Sequence, residues 1–327
     1  MILTKKRMVL ITLMLGLGIF ALLMQLPESI VGHRGDNLLL FVPQILFLAV
    51  TAAIIFAIVL VVIFKRDFVN AQIFAFNRYK HYLRLLVKGE FTKKYRKSIL
   101  GILWSFLNPL LQMIVLTLVF SYLFRNEIEN FPVYVFSGKL MLTFFTDSTT
   151  QAMNSVIASE GVIKKVYVPK YMFPLSKVFI SLVNLFISFI AFILVFLVTG
   201  ADFHWTMLLI PLPLIYIFVF SLGVAMFLSS LSVFFRDLTY LYGVFTFMLF
   251  FLTPIMYPVY PTIPVNLMPI YGLNPMFQFV QFFRDVALYN TVPDLWANMV
   301  CIGLALSSLC IGTFVFMRQQ GKFILSL

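Results

Sequence analysis

The chain has 327 residues, of which 62% are hydrophobic and 11% are charged, and its mean hydropathy is +1.02. A soluble domain would be about half apolar and about a quarter charged, so the composition excludes an ordinary soluble protein. The apolar runs are continuous and lack the alternation of outer-membrane strands, which predicts an all-α integral membrane protein. The formal net charge of +12 is explained by the placement of basic residues around apolar segments, and no nucleic acid partner is expected.

Eight apolar segments are predicted to span a bilayer, which requires about 20 apolar residues. They are 8–26, 38–64, 100–124, 133–158, 174–199, 207–233, 239–257 and 297–317. The 133–158 segment is the weakest, because it contains Lys139, Asp147 and a Ser-Thr-Thr-Gln run. The first segment is interpreted as a retained span, since it is about 19 residues long and lacks a small-residue cleavage site.

The distribution of Lys and Arg predicts the orientation of these spans. With the N-terminus in the cytoplasm, most of the 24 basic residues fall in inside segments, as the positive-inside rule requires. Both termini are therefore predicted to be cytoplasmic.

The 65–99 segment before the third span is predicted to contain an amphipathic helix. Its apolar face carries Tyr79, Leu83, Val87 and Phe91, and its basic face carries Lys80, Arg84 and Lys88. Such a helix is expected to lie in the membrane interface, with its basic side among lipid phosphates. The alternative is a cytoplasmic helix that packs on a soluble partner.

Two further segments are predicted not to span the membrane. The 159–173 segment is a short cytoplasmic loop with an amphipathic turn closed by Pro169. The 258–296 segment is rich in proline yet apolar, which predicts short re-entrant or surface-lying helices at the outer end of the bundle. The sequence FFRD at 234–237 and again at 282–285 falls on opposite predicted sides, so the repetition is interpreted as coincidence.

The sequence contains no GxxxxGK[ST], GxSxG, HExxH or CxxC motif, and its three histidines are scattered. Cys301 and Cys310 lie in one apolar run and are predicted to be unbridged thiols. No catalytic residue, metal site or cofactor is therefore expected in this chain, and any energy for transport must come from another subunit or an ion gradient. Lys139 and Asp147 are about two turns apart on one helix face, which makes them intramembrane functional candidates. The alternative is that both snorkel to the interfaces.

The stretch YRKSILGILWSFLNPLLQM (95–113) resembles the start of the first core span in type-2 ABC exporter permeases. The similarity is greatest to the branch that exports polysaccharide, O-antigen and teichoic acid (the Wzm and TarG type). The matching positions are Lys94, Tyr95, Arg96, Ser98, Leu100, Gly101, Leu103, Trp104, Asn108, Pro109 and Leu110. Lys94 stands where the family commonly has arginine. Further matches follow in order at 162–176, 234–238, 253–258 and 273–276, so the resemblance covers about residues 70–320.

The resemblance implies a six-span permease core at 100–320, an interfacial gate helix at 66–99 and outer re-entrant helices. Residues 1–65 depart from the family as an extra two-span hairpin whose role stays open. The implied assembly is a homodimer resting on two nucleotide-binding ATPase subunits, which would hold the ATP and Mg. Its implied activity is export of an undecaprenyl-linked polysaccharide or teichoic acid across the bacterial cytoplasmic membrane.

The resemblance also implies three groups of functional residues. The gate for the lipid headgroup would comprise Arg84, Lys88, Lys93, Lys94, Arg96 and Lys97. The channel entrance would comprise Ser98, Gly101, Trp104, Asn108 and Pro109, with interfacial anchoring as the alternative role of Trp104. Coupling to the ATPase would use Ile163, Lys164, Lys165, Val166, Tyr167 and Pro169.

Three other functions stay open at this point. A permease for small amphiphiles such as drugs or lipids would have a shorter interfacial helix and a weaker LGxLWxxxNP segment. A membrane-embedded enzyme acting on a polyprenyl phosphate would need an acidic or histidine constellation. A gradient-driven flippase would need internal repeats and intramembrane charges beyond Lys139 and Asp147.

Overall fold

The computed structural model describes residues 66–96, 100–124, 128, 130–166, 168–259, 262–263 and 271–326, and the regular structure among them is helical. The chain divides into two compact units, Met1–Tyr79 and Lys80–Leu327. All side chains that form the site belong to the second unit. The predicted hairpin at 1–65 lies outside the described residues.

The described part of the chain contains the following α-helices, in chain order. They are α1 (Arg66–Tyr95), α2 (Leu103–Phe124), α3 (Phe131–Met153), α4 (Ser155–Ala158), α5 (Glu160–Ile163), α6 (Met172–Thr199), α7 (Pro211–Ser232), α8 (Leu238–Leu252), α9 (Pro275–Ala287), α10 (Leu295–Gln319) and α11 (Phe323–Ser326). Two 3-10 helices cover Trp205–Leu209 and Gln320–Lys322.

Four stretches of the described chain are long and apolar enough to cross a membrane: Leu103–Phe120, Met172–Thr199, Trp205–Ser232 and Leu295–Lys322. They coincide with four of the predicted spans. The helix in the 133–158 segment ends at Met153, short of the prediction, and does not reach the same hydropathy.

Helix α8 is shorter than predicted. It has 15 residues and ends at Leu252, whereas the predicted span continued to residue 257. Thr253 is extended, with φ −100° and ψ 124°, and it precedes Pro254. Proline disfavours a helical conformation in the residue before it, which explains why the helix stops here.

Helix α3 is the centre of the bundle and contacts α2, α6, α7, α8 and α9. Most of its residues are buried, including the polar Ser137, Ser148 and Thr149. These hydroxyls donate to carbonyls one turn back, for example Thr149 Oγ1 to Phe145 O at 2.6 Å, so their burial leaves no unsatisfied donor. The low hydropathy of α3 is therefore compatible with a central position among more apolar helices.

Helices α7 and α10 approach each other until their backbones touch. A Cβ atom added to Gly312 would lie 1.9 Å from the Gly223 carbonyl oxygen, and one added to Gly223 would lie 2.2 Å from the Ser308 carbonyl carbon. Ser308 Oγ donates to Phe220 O at 2.9 Å. Small residues at a helix crossing allow such close packing within a membrane.

A buried arginine joins the outer segment to the bundle. Arg284 of α9 is 0% exposed, and its guanidinium lies 3.4 Å from the centre of the Tyr134 ring. It donates to Pro254 O at 2.7 Å, Tyr134 O at 3.1 Å, Ile255 O at 3.3 Å and Ser137 Oγ at 3.3 Å. We call this arrangement the arginine clamp, and it ties α9 to both α3 and the turn after α8.

A second link closes the opposite end of the bundle, and we call it the C-terminal clasp. Lys170 Nζ donates to Gln320 O at 2.6 Å and lies 5.7 Å from the centre of the Phe323 ring. Partial burial lowers the pKa of the Lys170 amine. Phe323 is fully buried and packs on Phe316 and Phe234. The clasp therefore fixes the 159–173 loop to the end of α10 and to α11.

Candidate substrate cleft

A polar cleft of about 330 Å³ lies between the end of α1 and the helices α2, α3 and α6. Three of these helices each contribute a row of polar side chains, although α2 and α6 are strongly apolar. Polar side chains at membrane depth are costly and commonly functional. The cleft is therefore the strongest candidate site in the described part of the chain.

The first wall, the α2 stripe, consists of Ser105, Asn108 and Gln112. These residues are three and four positions apart, so they share one face of the helix. Gln112 Nε2 donates to Asn108 Oδ1 at 3.0 Å. Pro109 also lines the cleft, and because proline has no N–H, the carbonyl of Ser105 loses its usual helical donor.

The second wall, the α3 stripe, consists of Lys139, Thr143 and Asp147. The predicted placement of Lys139 and Asp147 on one helix face is what the structure shows, although no hydrogen bond or ion pair joins the two. Lys139 Nζ lies 5.0 Å from the centre of the Phe250 ring. The Asp147 carboxylate is exposed and is attracted by Lys94 as well as Lys139.

The third wall, the α6 stripe, consists of Ser181, Asn184 and Ser188. Asn184 Oδ1 accepts a hydrogen bond from Tyr95 Oη at 3.2 Å, and Ser181 Oγ accepts one from Gln151 Nε2 at 3.5 Å. The sequence analysis did not predict this wall. Its signal is a polar residue at every third or fourth position within an otherwise apolar span.

The mouth of the cleft is built by Lys94, Tyr95 and Trp104. Tyr95 Oη forms hydrogen bonds with Ser105 Oγ and Asn184, and so joins the α2 and α6 stripes. Trp104 is 47% exposed, and its ring forms part of the cleft surface. This placement is compatible with both of its predicted roles, at the channel entrance and as an interfacial anchor.

A surface ion pair holds α1 beside α6 near this mouth. Lys177 Nζ lies 2.7 Å from Glu90 Oε2, and both side chains are partly exposed. An isolated pair of this kind contributes only about 0–1 kcal/mol. It therefore orients the end of α1 more than it stabilises the fold.

The six predicted gate residues do not form one group. Of the five that are described, only Lys94 lines the cleft, whereas Lys88, Lys93 and Arg96 line a separate depression on α1. Arg84 is exposed on α1 and lines neither. Lys97 and the predicted entrance residue Ser98 lie outside the described residues.

The chain bends at Gly101 immediately before α2. Gly101 has φ +47°, in the left-handed region that glycine adopts at no steric cost. Helix α2 then begins at Leu103, and Asn108 and Pro109 enter the cleft from its second turn. The bend thus directs the α2 stripe toward the end of α1.

Most of the described coupling residues are exposed, but Ile163 is buried. Ile163 is only 8% exposed and packs inside the bundle, whereas Val162 and Val166 are 41% and 55% exposed. Lys164 pairs with Glu160 one turn earlier, and Lys165 is exposed. Val162 and Val166, and not Ile163, are therefore the apolar side chains of this loop that are accessible at the surface.

Of the two remaining coupling residues, the structure describes Pro169 but not Tyr167. The carbonyl of Pro169 accepts from the Met172 N–H at 3.1 Å and so begins α6. Tyr167 lies outside the described residues.

A second cavity, of about 710 Å³, lies between α6, the first 3-10 helix and α7. Its lining is apolar apart from His204 and includes Phe186, Phe192 and Phe218. Among the described residues, no group of three or more His, Cys, Asp and Glu side chains could hold a metal ion. The polar chemistry is therefore concentrated in the first cleft.

Comparison with known proteins shows one family match and several similar transport proteins. A sequence profile described as "ABC-2 type transporter" matches residues 81–288. An "O-antigen export system permease protein RfbA" from Myxococcus xanthus is 28% identical over 247 residues, covering 75% of this chain and 95% of the relative. The protein of the same name from Klebsiella pneumoniae is 31% identical, covering 74% and 93%. The "Polysialic acid transport protein KpsM" from Escherichia coli is 20% identical, covering 72% and 93%.

Proposed function

Because the chain belongs to the ABC-2 type transporter family, we propose that it is the membrane permease subunit of an ATP-driven polysaccharide exporter. Its substrate is a glycan linked to undecaprenyl phosphate or pyrophosphate, of the O-antigen or teichoic-acid kind. It resides in the bacterial cytoplasmic membrane as a multi-pass protein with both termini in the cytoplasm.

The observation that carries this proposal is the polar cleft at the end of a basic helix. Hydroxyl and amide side chains can both donate to and accept from sugar hydroxyls. Lysine ammonium groups bind phosphate as point charges. A permease for small amphiphiles would need neither group along three apolar helices, and the relatives named for O-antigen and polysialic acid transport favour the glycan.

A second copy of the chain is proposed to complete the conduit. Asp147 and Thr150 of the central helix α3 are exposed in a single copy. Polar groups at membrane depth are tolerated where protein or a water-filled path covers them. A homodimer that encloses a wet path along α3 meets this requirement.

The energy for transport is proposed to come from two ATPase subunits, because the sequence has no phosphate-binding loop of its own. Val162 and Val166 present apolar surface on the exposed 159–173 loop, where a groove on the ATPase could receive them. The C-terminal clasp fixes this loop to the bundle, so that movement of the ATPase would be transmitted to the helices.

The experiment that tests the proposal is co-expression with a nucleotide-binding ABC ATPase subunit from the same organism. We expect a stable complex of two permease and two ATPase subunits that moves a lipid-linked glycan across proteoliposomes only when ATP is hydrolysed. A particle that elutes without any ATPase subunit and transports without ATP would overturn the proposal.

Substituting Val166→Asp is expected to reduce ATP-coupled export about tenfold, equivalent to about 1.4 kcal/mol of docking free energy. The side chain is exposed, so the change places a charge in the docking contact without disturbing the bundle. Val166→Thr keeps the shape and should retain most export. Rates are measured in proteoliposomes after both variants are shown to insert equally, and normal export by Val166→Asp would remove Val166 from the docking contact.

A further inference from the structure

Resting on the proposed function, we propose that the cleft binds the single sugar phosphate next to the lipid, through side chains that one copy of the chain supplies. The phosphate lies at the deep end beside Lys139, and the sugar lies at the mouth between Asp147 and Trp104. The rest of the glycan extends away from the mouth.

The positions of the three stripes relative to one another along the helices show which residues lie at the mouth of the cleft and which lie at its deep end. Short connections between α2, α3 and α6 make consecutive helices antiparallel, so the stripes of α2 and α6 run in one direction and that of α3 in the other. Tyr95 Oη bonds to both Ser105 Oγ and Asn184 Oδ1, so these two residues lie level with each other at the mouth, and Gln112 and Ser188 lie farther along toward Lys139. The contact of Gln151, one turn beyond Asp147, with Ser181 agrees with this register.

The size of the cleft suits one sugar phosphate and not a polymer. The first and last residues of each stripe are seven or eight positions apart, which is about 10–12 Å at 1.5 Å per residue. The volume of about 330 Å³ is at the lower end of the roughly 300–1,000 Å³ usual for small-molecule sites.

The deep end has the chemistry of a phosphate site. Lys139 contributes an ammonium group, and Gln112 and Ser188 can each donate a hydrogen bond. Lys139 forms no ion pair among the described residues, so its charge is not neutralised by a direct contact. The walls around it are apolar, and electrostatic attraction is stronger there than in water.

The mouth has the chemistry of a sugar site. The Asp147 carboxylate accepts hydrogen bonds only, so it would repel a phosphate and bind sugar hydroxyls. The exposed Trp104 ring offers a flat apolar surface for the face of a sugar ring. The Asn184 amide, which is bonded to Tyr95 at the mouth, and the Asn108 amide on α2 can satisfy further hydroxyls.

This order matches the geometry of a lipid-linked glycan. The phosphate joins the membrane-embedded hydrocarbon chain to the sugar, so it lies deeper than the sugar when the lipid is in the bilayer. Each end of the cleft carries a lysine, but Lys94 at the mouth attracts the Asp147 carboxylate. Lys139 is therefore the cation left for the phosphate, and the substrate is accepted in the orientation in which it arrives.

The test uses the full-length protein in phosphatidylcholine nanodiscs, with binding measured by calorimetry. The probes are N-acetylglucosamine 1-phosphate, N-acetylglucosamine and inorganic phosphate. We expect a dissociation constant of about 1 mM for the sugar phosphate and at least about tenfold weaker binding of the other two. Inorganic phosphate that binds as tightly as the sugar phosphate would overturn the sugar site, and no saturable binding of the sugar phosphate would overturn the whole proposal.

Two variants locate the ends of the ligand. Lys139→Met is expected to weaken binding of the sugar phosphate at least tenfold and to leave binding of the free sugar unchanged. Lys139→Arg should restore binding of the sugar phosphate. Asp147→Asn is expected to weaken binding of the sugar phosphate and of the free sugar to the same extent. Lys322→Met, an exposed cation on the second 3-10 helix, is the control for loss of charge. Equal effects of Lys139→Met and Lys322→Met, or no effect of Lys139→Met in a protein that elutes normally, would overturn the assignment.

Failure of this site and failure of the proposed function give different results. If the protein with its ATPase exports lipid-linked glycan but the cleft binds no sugar phosphate, the site is wrong and the function stands. If the cleft binds the sugar phosphate as described but ATP drives no transport, the site stands and the function is wrong.

Discussion

Replacing Gly312 with alanine is expected to abolish the folded permease. The new Cβ atom would lie 1.9 Å from the Gly223 carbonyl oxygen and 2.7 Å from the Gly223 carbonyl carbon. Both atoms belong to the backbone of α7, so no side-chain rotation can relieve the overlap. We expect a loss of at least about 3 kcal/mol, the upper end of the usual cost of over-packing a core, because two spanning helices must separate along their contact.

Gly243→Ala is the matched control for this substitution. Gly243 is also an interior helical glycine, but a Cβ atom added there would meet nothing within 4 Å. Alanine favours a helix over glycine by about 0.5–1 kcal/mol, so this variant should be as stable as the parent or slightly more. The measurement is the fraction of detergent-solubilised protein that elutes as a single peak after heating. A Gly312→Ala protein that survives heating like Gly243→Ala would contradict the backbone contact between α7 and α10.

Replacing Arg284 with methionine is expected to cost about 3 kcal/mol, because several buried hydrogen bonds from a charged group are lost, each worth about 1.5–3 kcal/mol at most. The guanidinium donates to the carbonyls of Tyr134, Pro254 and Ile255. Tyr134 O also accepts from Ser137 Oγ and Pro254 O from Tyr134 Oη, so the loss is greatest at Ile255 O. Arg284→Lys should be intermediate, because an ammonium group keeps the charge but cannot reproduce the planar set of donors.

The other FFRD sequence, at 234–237, supplies the control. Arg236 occupies the same position in that sequence, but its side chain is exposed, so Arg236→Met should change thermal stability very little. The four proteins are compared by the heating and elution measurement used for the glycine variants. If Arg236→Met and Arg284→Met lowered the midpoint equally, the arginine clamp would not be the cause.

Periodicity and composition were sufficient to predict the helices and several of their faces. Leu83 is buried on α1 and Arg84 and Lys88 are exposed, as the spacing of apolar and basic residues indicates. The shared face of Lys139 and Asp147 follows from an equally local rule. These features depend on residues within a few turns of each other, and such relations can be inferred from the sequence.

Long-range relations could not be inferred in the same way. The polar side chains of the α6 stripe form a wall of the cleft only because α2 and α3 lie opposite them. The mean hydropathy of α6 does not reveal these side chains, because the apolar residues of the helix dominate the mean. The two FFRD sequences are identical, yet one arginine is buried and the other exposed, because only Arg284 faces Tyr134 and the turn at Pro254. The resemblance groups the gate cations as one set, whereas successive residues of a helix point about 100° apart, so Lys94 lines the cleft and Lys93 a separate depression.

The C-terminal clasp has a consequence for the order of biosynthesis. Lys170 and Gln320 are 150 positions apart, so their contact cannot form until the ribosome has completed α10. Membrane helices made earlier can insert and pair, but the loop that would receive the ATPase is fastened only when the last residues emerge. A truncated or stalled chain would thus lack a finished docking surface, which would keep incomplete permeases from recruiting a motor that hydrolyses ATP.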